Sequence, residues 1–446
     1  MKNDILNRSG LTELLPRSLG NTGVRYAPGV AAGDWVFATG LSPYDLLADG
    51  AALPQHREAP VRSETVERSQ ARATFDLLEQ TLAAAGSDVS SLVRFDQYYT
   101  TPKAVDAYHQ ERSKRLGGRV PPSTSMLMSK LLVEGAHLDI QALGVRGDRA
   151  RGLEFFNHPV LNGPATSGFC AAVRSDEFVF VPGFTPSAQV GQPSRRGLAI
   201  EATMPEGSQW KGTPIELETK YLIEAKLGPA LALAGASLKG MCKAQVYLTD
   251  PDDVLGFLRV WTDHVGADGP ALTIVVAPHR SIAVEDCRLE VNAIAVTDAA
   301  LSRRKVIDAG LPRWLEAAPN AIRVGELLFL SGLMPLDAAG RMVKPTPHPS
   351  LGRVEDRVAD QTVAILERAA RICAAAGTSL ANVLRLQFFM ADLGGFPSVQ
   401  GRLAQALPGR ALSCSFIEAP APAFPAGALL HADLWVFCPQ EQTDSN

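Results

Sequence analysis

One long pattern occurs three times along the chain, and this repeat limits the possible folds more than any single motif does. Each copy has an apolar strand that ends in a small-residue turn: VFATG at 36–40, VFVPG at 179–183 and LFLSG at 328–332. Each then has an amphipathic helix that stops at an Ala-Gly pair, Ala85-Gly86, Ala234-Gly235 or Ala376-Gly377. A strand follows each stop: LVRFDQYYT from Leu92, MCKAQVYLTD from Met241 and VLRLQFFMAD from Val383. A fixed long period sets the unit of folding. Here the unit is roughly 145–150 residues, near the commonest domain size and too long for a solenoid repeat. The 446-residue chain therefore reads as three tandem homologous domains, at 1–150, 151–303 and 304–446. Each is long enough to bury a core of its own.

Within the units, the helices align by their distance from the stop glycine. Leu78, Leu227 and Ala369 lie eight positions before it, and Leu82, Leu231 and Cys373 lie four before. That spacing puts both positions on one helix face, packed against a sheet, and glycine at the stop suits a C-cap. Gly228-Pro229 interrupts the second helix and predicts a kink or a late start there. The strands that follow alternate. Arg94, Asp96 and Tyr98 share a face, as do Lys243, Gln245 and Tyr247, and Arg385, Gln387 and Phe389; Phe95, Ala244 and Leu386 point the other way, toward the helices. The polar face fits either a functional surface or the lining of a contact between domains. A second helix and two closing strands complete each unit, giving an α+β fold with an antiparallel or mixed sheet. The polar segments 146–152 and 298–304 suit linkers. Long loops follow the turns, the longest at 185–212, and such loops often frame a binding site.

Composition narrows the function classes. A net charge of −4 supplies no general attraction to nucleic acid, so RNA binding is expected to be weak and lost at physiological salt. No apolar run is long enough for a membrane span, the N-terminal segment lacks the apolar core of a signal peptide, and the six cysteines show no framework spacing. A cytoplasmic protein with reduced thiols is expected. The eight histidines show no ligand spacing and no phosphate-binding loop is present, so neither metal nor cofactor is expected. The expected partner is a small-molecule substrate.

The order of strand and SG-type turn, helix ending in AAAG, strand ending in YLTD and a closing EIEAIA-like strand resembles the RidA/YjgF family. The closest echoes are VFATG, LAAAGSDVSSLV, AQVYLTDPDDV and LEVNAIAV. The resemblance implies a chorismate-mutase-like α+β fold with sites between subunits, so that three such domains in one chain form an intramolecular pseudo-trimer, alone or in a low-order homo-oligomer. It also implies hydrolysis of imines or enamines, with an arginine clamping a carboxylate and a glutamate, a tyrosine and a hydroxyl or thiol placing water. A non-catalytic binder that kept the pockets is the alternative, and an endoribonuclease a further one. The family arginine falls on Ser123, Leu272 and Leu412, so every copy lacks it. The tyrosine position falls on Tyr26, Phe169 and Ala318, and the turn hydroxyl on Thr39, Pro182 and Ser331. The position two after the arginine falls on Ser125, Ile274 and Cys414, and the closing-strand carboxylate on Asp139, Glu290 and His431, with Asp433 two beyond.

Two polar sets result. One is Tyr26, Thr39, Ser125 and Asp139, with Ser123 nearby; the other is Ser331, Cys414, His431 and Asp433. They are expected to carry chemistry where the first and third domains meet their neighbours, while the second domain supplies walls. Cys414 fits either a nucleophile or a packed small hydrophobe. His431 with Asp433 fits either a general base with its orienting carboxylate or a structural pair. Glu290 and Arg280 are candidates for holding substrate, Arg280 with Arg119 and Arg410 being the guanidinium groups nearest in sequence to the lost clamp; a solvated loop arginine is the other reading of each.

Overall fold

Strands with one apolar and one polar face build three mixed sheets of a single strand order. The first runs Leu11–Leu14, Gly29–Ala32, Trp35–Leu41, Leu138–Val145, Leu92–Tyr99, Ser123–Leu127. The second runs Glu154–Phe156, Ala172–Ser175, Phe178–Phe184, Leu289–Thr297, Ala236–Leu248, Ala271–Val276, and the third Arg304–Ile307, Ala321–Val324, Leu327–Leu330, Leu430–Phe437, Val383–Met390, Cys414–Glu418. In each, the strand after the first helix pairs in parallel with the strand after the second helix. The third sheet gains a seventh strand, Lys130–Leu131, from the first third of the chain. This computed structural model describes residues 10–18, 24–43, 64–163, 167–189, 191–208, 212–313, 315, 318–348 and 350–439. Among them, no helix is long and apolar enough to cross a membrane.

The helix faces lie as the spacing predicts. Leu78, Leu82, Leu227, Leu231, Ala369 and Cys373 are all buried, and Gly86, Gly235 and Gly377 carry φ of 70°, 80° and 74°, the left-handed backbone that ends each helix. The second copy differs from expectation at Gly228-Pro229. Its helix does not start late. It begins at Pro214, runs to Tyr221, widens into a π-turn over Leu222–Leu227 and closes as Gly228–Leu233. A wider turn gives room to the proline ring and to the missing N–H of Pro229. The expected linkers are ordered too: Gly147–Arg151 is a short helix and Asp298–Arg303 a 3-10 turn. Arg149 explains the first. Its guanidinium lies over the Trp35 ring at 4.6 Å and 3.3 Å from Asp176, tying the segment to the hairpin of the next sheet.

The polar strand faces meet at the junction of the three sheets, which decides between their two readings. Arg94 reaches Asp96 at 2.8 Å and Asn292 at 2.7 Å. Lys243 Nζ lies 2.5 Å from Asp433 and 2.7 Å from both Thr273 Oγ1 and the Leu330 carbonyl. Arg385 donates to Asp433 and to Gln141, each at 2.6 Å. Each of the three cations thus bonds across to the next sheet, first to second, second to third and third to first. Two apolar clusters draw on all three sheets as well, one containing Trp35, Phe178, Phe329 and Trp435, the other Tyr98, Tyr247 and Phe389.

A second cycle of contacts runs around the periphery. Ala27 N donates to the Leu412 carbonyl at 3.1 Å, Cys170 N to Val120 at 3.0 Å, and Gly332 N to Leu272 at 2.9 Å. Each sheet's N-terminal hairpin or turn thereby abuts the parallel edge strand of another sheet. Gly40 makes the closest approach. Its φ is +71°, and a Cβ there would overlap the Cys414 carbonyl oxygen. Gly40→Ala is therefore expected to destabilise the fold by more than the ~1–2 kcal/mol of left-handed backbone strain alone. Urea unfolding beside Gly86→Ala, whose Cβ meets no atom within 4 Å, separates overlap from strain.

Candidate active site between the first and third sheets

A cavity of about 610 Å³ opens where the first sheet meets the third. From the first sheet's side it is lined by Tyr26, Thr39, Gly40 and Asp139, and across the interface by Leu412, Cys414, Ser415 and Phe416. Tyr26 is carried by a two-residue strand, Arg25–Tyr26, paired with Arg17–Ser18 so that Arg17 lies opposite it. Thr39 lies within the Trp35–Leu41 strand, and its Oγ1, buried at 2% exposure, has no hydrogen-bond partner among the described residues.

Asp139 is the chemically distinctive group. Ser415, from the opposite sheet, donates to its Oδ1 at 2.9 Å. Burial pushes the carboxyl up to about 7, against the opposing pull of that hydrogen bond and of Arg385. A carboxyl that exchanges its proton near neutrality can serve as base or acid. Cys414 stands close by, but burial, with Asp139 adding to it, raises the thiol to about 12. Burial thus favours the thiol over the thiolate, in keeping with the second of its two readings, a packed small hydrophobe.

Strand register also corrects the alignment of the third copy. Ser123 lies opposite Phe95, Leu272 opposite Ala244 and Cys414 opposite Leu386. Cys414, not Leu412, thus occupies the place of Ser123 and Leu272, and Phe416 that of Ser125 and Ile274. The similar spelling of ALTI and ALSC misleads, whereas Ser123, Leu272 and Cys414 all lie 37 positions after the stop glycines Gly86, Gly235 and Gly377.

The structure does not gather the remaining candidates in this cavity. Ser123 Oγ accepts from buried Arg112 at 3.0 Å, and Ser125 Oγ donates to Gln97 at 2.7 Å. Ser331 Oγ donates to the Pro319 carbonyl at 2.6 Å and accepts from Leu272 N at 3.1 Å, beside a void of about 20 Å³. His431 and Asp433 share a strand face but do not pair. Asp433 is held by Lys243 and Arg385. The His431 ring stacks on Phe389 at 5.1 Å, is 1% exposed and is pushed by burial down to about 4, so it stays neutral. That corrects the base-and-carboxylate reading: the i, i+2 spacing aims both side chains into the junction. Glu290 is buried, raised to about 8 by desolvation, and so close to Gly183 that a Cβ there would overlap its carboxylate. Arg280 is exposed on a turn with φ 63°, Arg119 lies over the Phe155 ring, and Arg410 pairs with Glu13 at 2.8 Å.

Sequence reasoning missed Arg17, Arg25, Ser415 and the apolar wall of Leu132, Val133, Phe396 and Phe416. Arg25 had a signal, since it directly precedes Tyr26; the others come from segments far apart in the chain.

Residues 318–425 match the profile of the family described as endoribonuclease L-PSP. Protein mmf2, mitochondrial, of Schizosaccharomyces pombe is 30% identical over 95 residues, covering 21% of this chain and 74% of that protein. The chain belongs to the endoribonuclease L-PSP family. The match includes Ser331 and Cys414 and ends before His431. Among solved structures of this type, yeast Mmf1 is 20% identical and covers 33% of this chain and 99% of that one, with a TM-score of 0.26. A chorismatase is 12% identical and covers 78% of this chain and 93% of that one, with a TM-score of 0.46.

Proposed function

We propose that the protein is a hydrolase of a small imine, enamine or related C–N compound, working at one site between the first and third sheets. The observation that carries this reading is the meeting of Tyr26, Thr39 and Asp139 with Cys414 and Ser415 around a cavity of about 610 Å³, a size suited to a small ligand. On the same reading the three sheets belong to homologous units, at 1–150, 151–303 and 304–446, that stand in for three subunits. Fusion lets one interface specialise while the other two become scaffold, since a closed homotrimer must keep all three alike.

The chemistry assigns Asp139 the proton transfers. As a carboxylate it takes a proton from water while the oxygen adds to the C–N carbon. As the acid it returns that proton to nitrogen, giving a carbinolamine; in a second transfer it takes the carbinolamine hydroxyl proton and delivers it to nitrogen as the C–N bond breaks, and a carbonyl compound and an amine or ammonia leave. Thr39 Oγ1 and the Tyr26 hydroxyl supply polar contacts for the water and the developing alkoxide. The test is release of ammonia or amine from a panel of imines and enamines formed in situ from amino acids. Wild-type protein should accelerate hydrolysis of at least one, and Asp139→Asn should remove the acceleration. No acceleration across the panel, or acceleration untouched by Asp139→Asn, would contradict the proposal.

A further inference from the structure

We propose that the junction of the three sheets holds a buried monatomic anion of the halide class, in a small void that shares Thr39 with the large cavity. The void measures about 10 Å³ and is lined by Thr39, Arg94, Asp96, Gln141, Arg385 and Trp435, with apolar neighbours. That is room for one guest the size of a water molecule. Four of these side chains, each on a residue at most 3% exposed, have a polar atom without a partner among the described residues: Thr39 Oγ1, Arg94 Nη1, Gln141 Nε2 and Trp435 Nε1. Guanidinium and indole nitrogens only donate. Gln141 Oε1 accepts from Arg385 Nε at 2.6 Å, which fixes its other amide atom as a donor. The acceptors of the lining are taken, Gln141 Oε1 by Arg385 and Asp96 by Arg94 at 2.8 Å. A water that took these donors would still have to place its own two protons, whereas a halide only accepts.

Charge favours the same occupant. Among the described residues, the ion pairs of the junction set Asp96 and Asp433 against Arg94, Lys243 and Arg385, one negative charge short. Two further buried carboxyls, Asp139 and Glu290, are raised by burial to about 7 and about 8. Both are therefore mainly neutral at pH 6, while Lys243, lowered by burial to about 8, keeps its charge. A buried charge is costly unless it is paired. The arginines are also positioned in advance, with Arg385 over the Trp435 ring at 4.7 Å and Arg94 at 5.7 Å, so little ordering is needed on binding.

Comparison of the three interfaces shows why the void lies here. Gln141, Asn292 and Asp433 share a register, opposite Asp96, Gln245 and Gln387. Asn292 uses both ends of its amide, accepting from Arg94 at 2.7 Å and donating to Thr124 at 2.9 Å. Asp433 takes Lys243, Arg385 and Thr273. At the remaining interface Ser415, in the register place of Thr124 and Thr273, donates to Asp139 instead. The amide nitrogen of Gln141 is thereby left to the void.

Thermal melts of the full-length protein at pH 6, with sodium gluconate replaced by sodium chloride at constant ionic strength, test this. The melting temperature should rise saturably, by about 1–3 °C. Gln141→Glu keeps the acceptor for Arg385 and brings a carboxylate oxygen to the void, so it should abolish the chloride response. If that variant does not fold, Trp435→Phe takes its place. It removes one donor and should raise the half-saturating chloride concentration by at least about threefold. Long-wavelength anomalous scattering from crystals grown in sodium chloride should show a peak among Arg94, Gln141 and Trp435. A wild-type melt indifferent to chloride, a response unchanged in the folded variant, or a void holding water without anomalous signal would each overturn the inference. None of these outcomes bears on turnover, so the anion site stands or falls apart from the catalytic reading of Asp139.

Discussion

Asp139→Asn is expected to lower turnover by about 10²–10⁴-fold, the usual loss on removing a general base, while making the protein more stable at pH 8. The second half follows from the sign of the linkage. Burial raises the folded-state carboxyl from an ordinary value of 3.8 to about 7, so the folded protein holds this proton more tightly than the unfolded chain. The stabilisation is complete below the unfolded value and is lost as pH rises through about 7. The full interval corresponds to roughly 4 kcal/mol. Asparagine keeps a hydrogen-bonding side chain without the charge, so thermal melts of the two proteins should converge as pH falls toward 3.8 and separate most at pH 8, the variant melting higher. Turnover of the wild-type protein should rise through pH 7 as the carboxylate forms. A variant less stable than wild type at pH 8 would show that Asp139 is not the strained group described here.

The largest loss of stability should come from Asp433→Ala. Asp433 is fully buried between Lys243 at 2.5 Å and Arg385 at 2.6 Å, so its removal strands two cations at the junction. Breaking a buried pair typically costs about 3–5 kcal/mol, because an uncompensated charge remains. The exposed pair Arg196–Asp286 is the control, where solvent screening leaves little net effect. Lys243 and Arg385 hold the Asp433 carboxyl below its ordinary value against the opposing effect of burial. Its contribution is therefore present above the unfolded value near 3.8 and disappears as pH falls below it. Urea unfolding of wild type and variant should differ by several kcal/mol at pH 7 and by less at pH 3. Equal stability at pH 7 would remove the ion network from the account of how the three sheets are held together.

Period and alternation made much of the fold legible. The stop glycines placed the helix faces, because a C-cap fixes where a helix ends and hence which residues share its stripe. The alternation of Arg94, Lys243 and Arg385 with their neighbours marked a polar face, but spacing within one strand cannot say what that face meets. Here three such faces meet one another, and that is why the His431–Asp433 pair failed: both side chains point into the junction and take partners from other thirds of the chain. The site was legible in part. Tyr26, Thr39, Asp139 and Cys414 do line one cavity. The assignment of Cys414 slipped by two residues because it followed the similar spelling of ALTI and ALSC instead of the constant distance from the stop glycine. Arg17 and Ser415 were out of reach because the cavity brings together segments nearly 400 positions apart, as the Ala27–Leu412 hydrogen bond illustrates.

The central claim is that one of three corresponding interfaces does the chemistry. Asp139, Glu290 and His431 occupy the same register, opposite Tyr98, Tyr247 and Phe389. The direct test compares Asp139→Asn, Glu290→Gln and His431→Ala on an imine that the wild-type protein hydrolyses, with folding checked in each. The account predicts that Asp139→Asn removes turnover and that the other two variants retain it as far as they fold. Turnover intact in Asp139→Asn and abolished in a folded Glu290→Gln or His431→Ala protein would place the chemistry at another interface and contradict it.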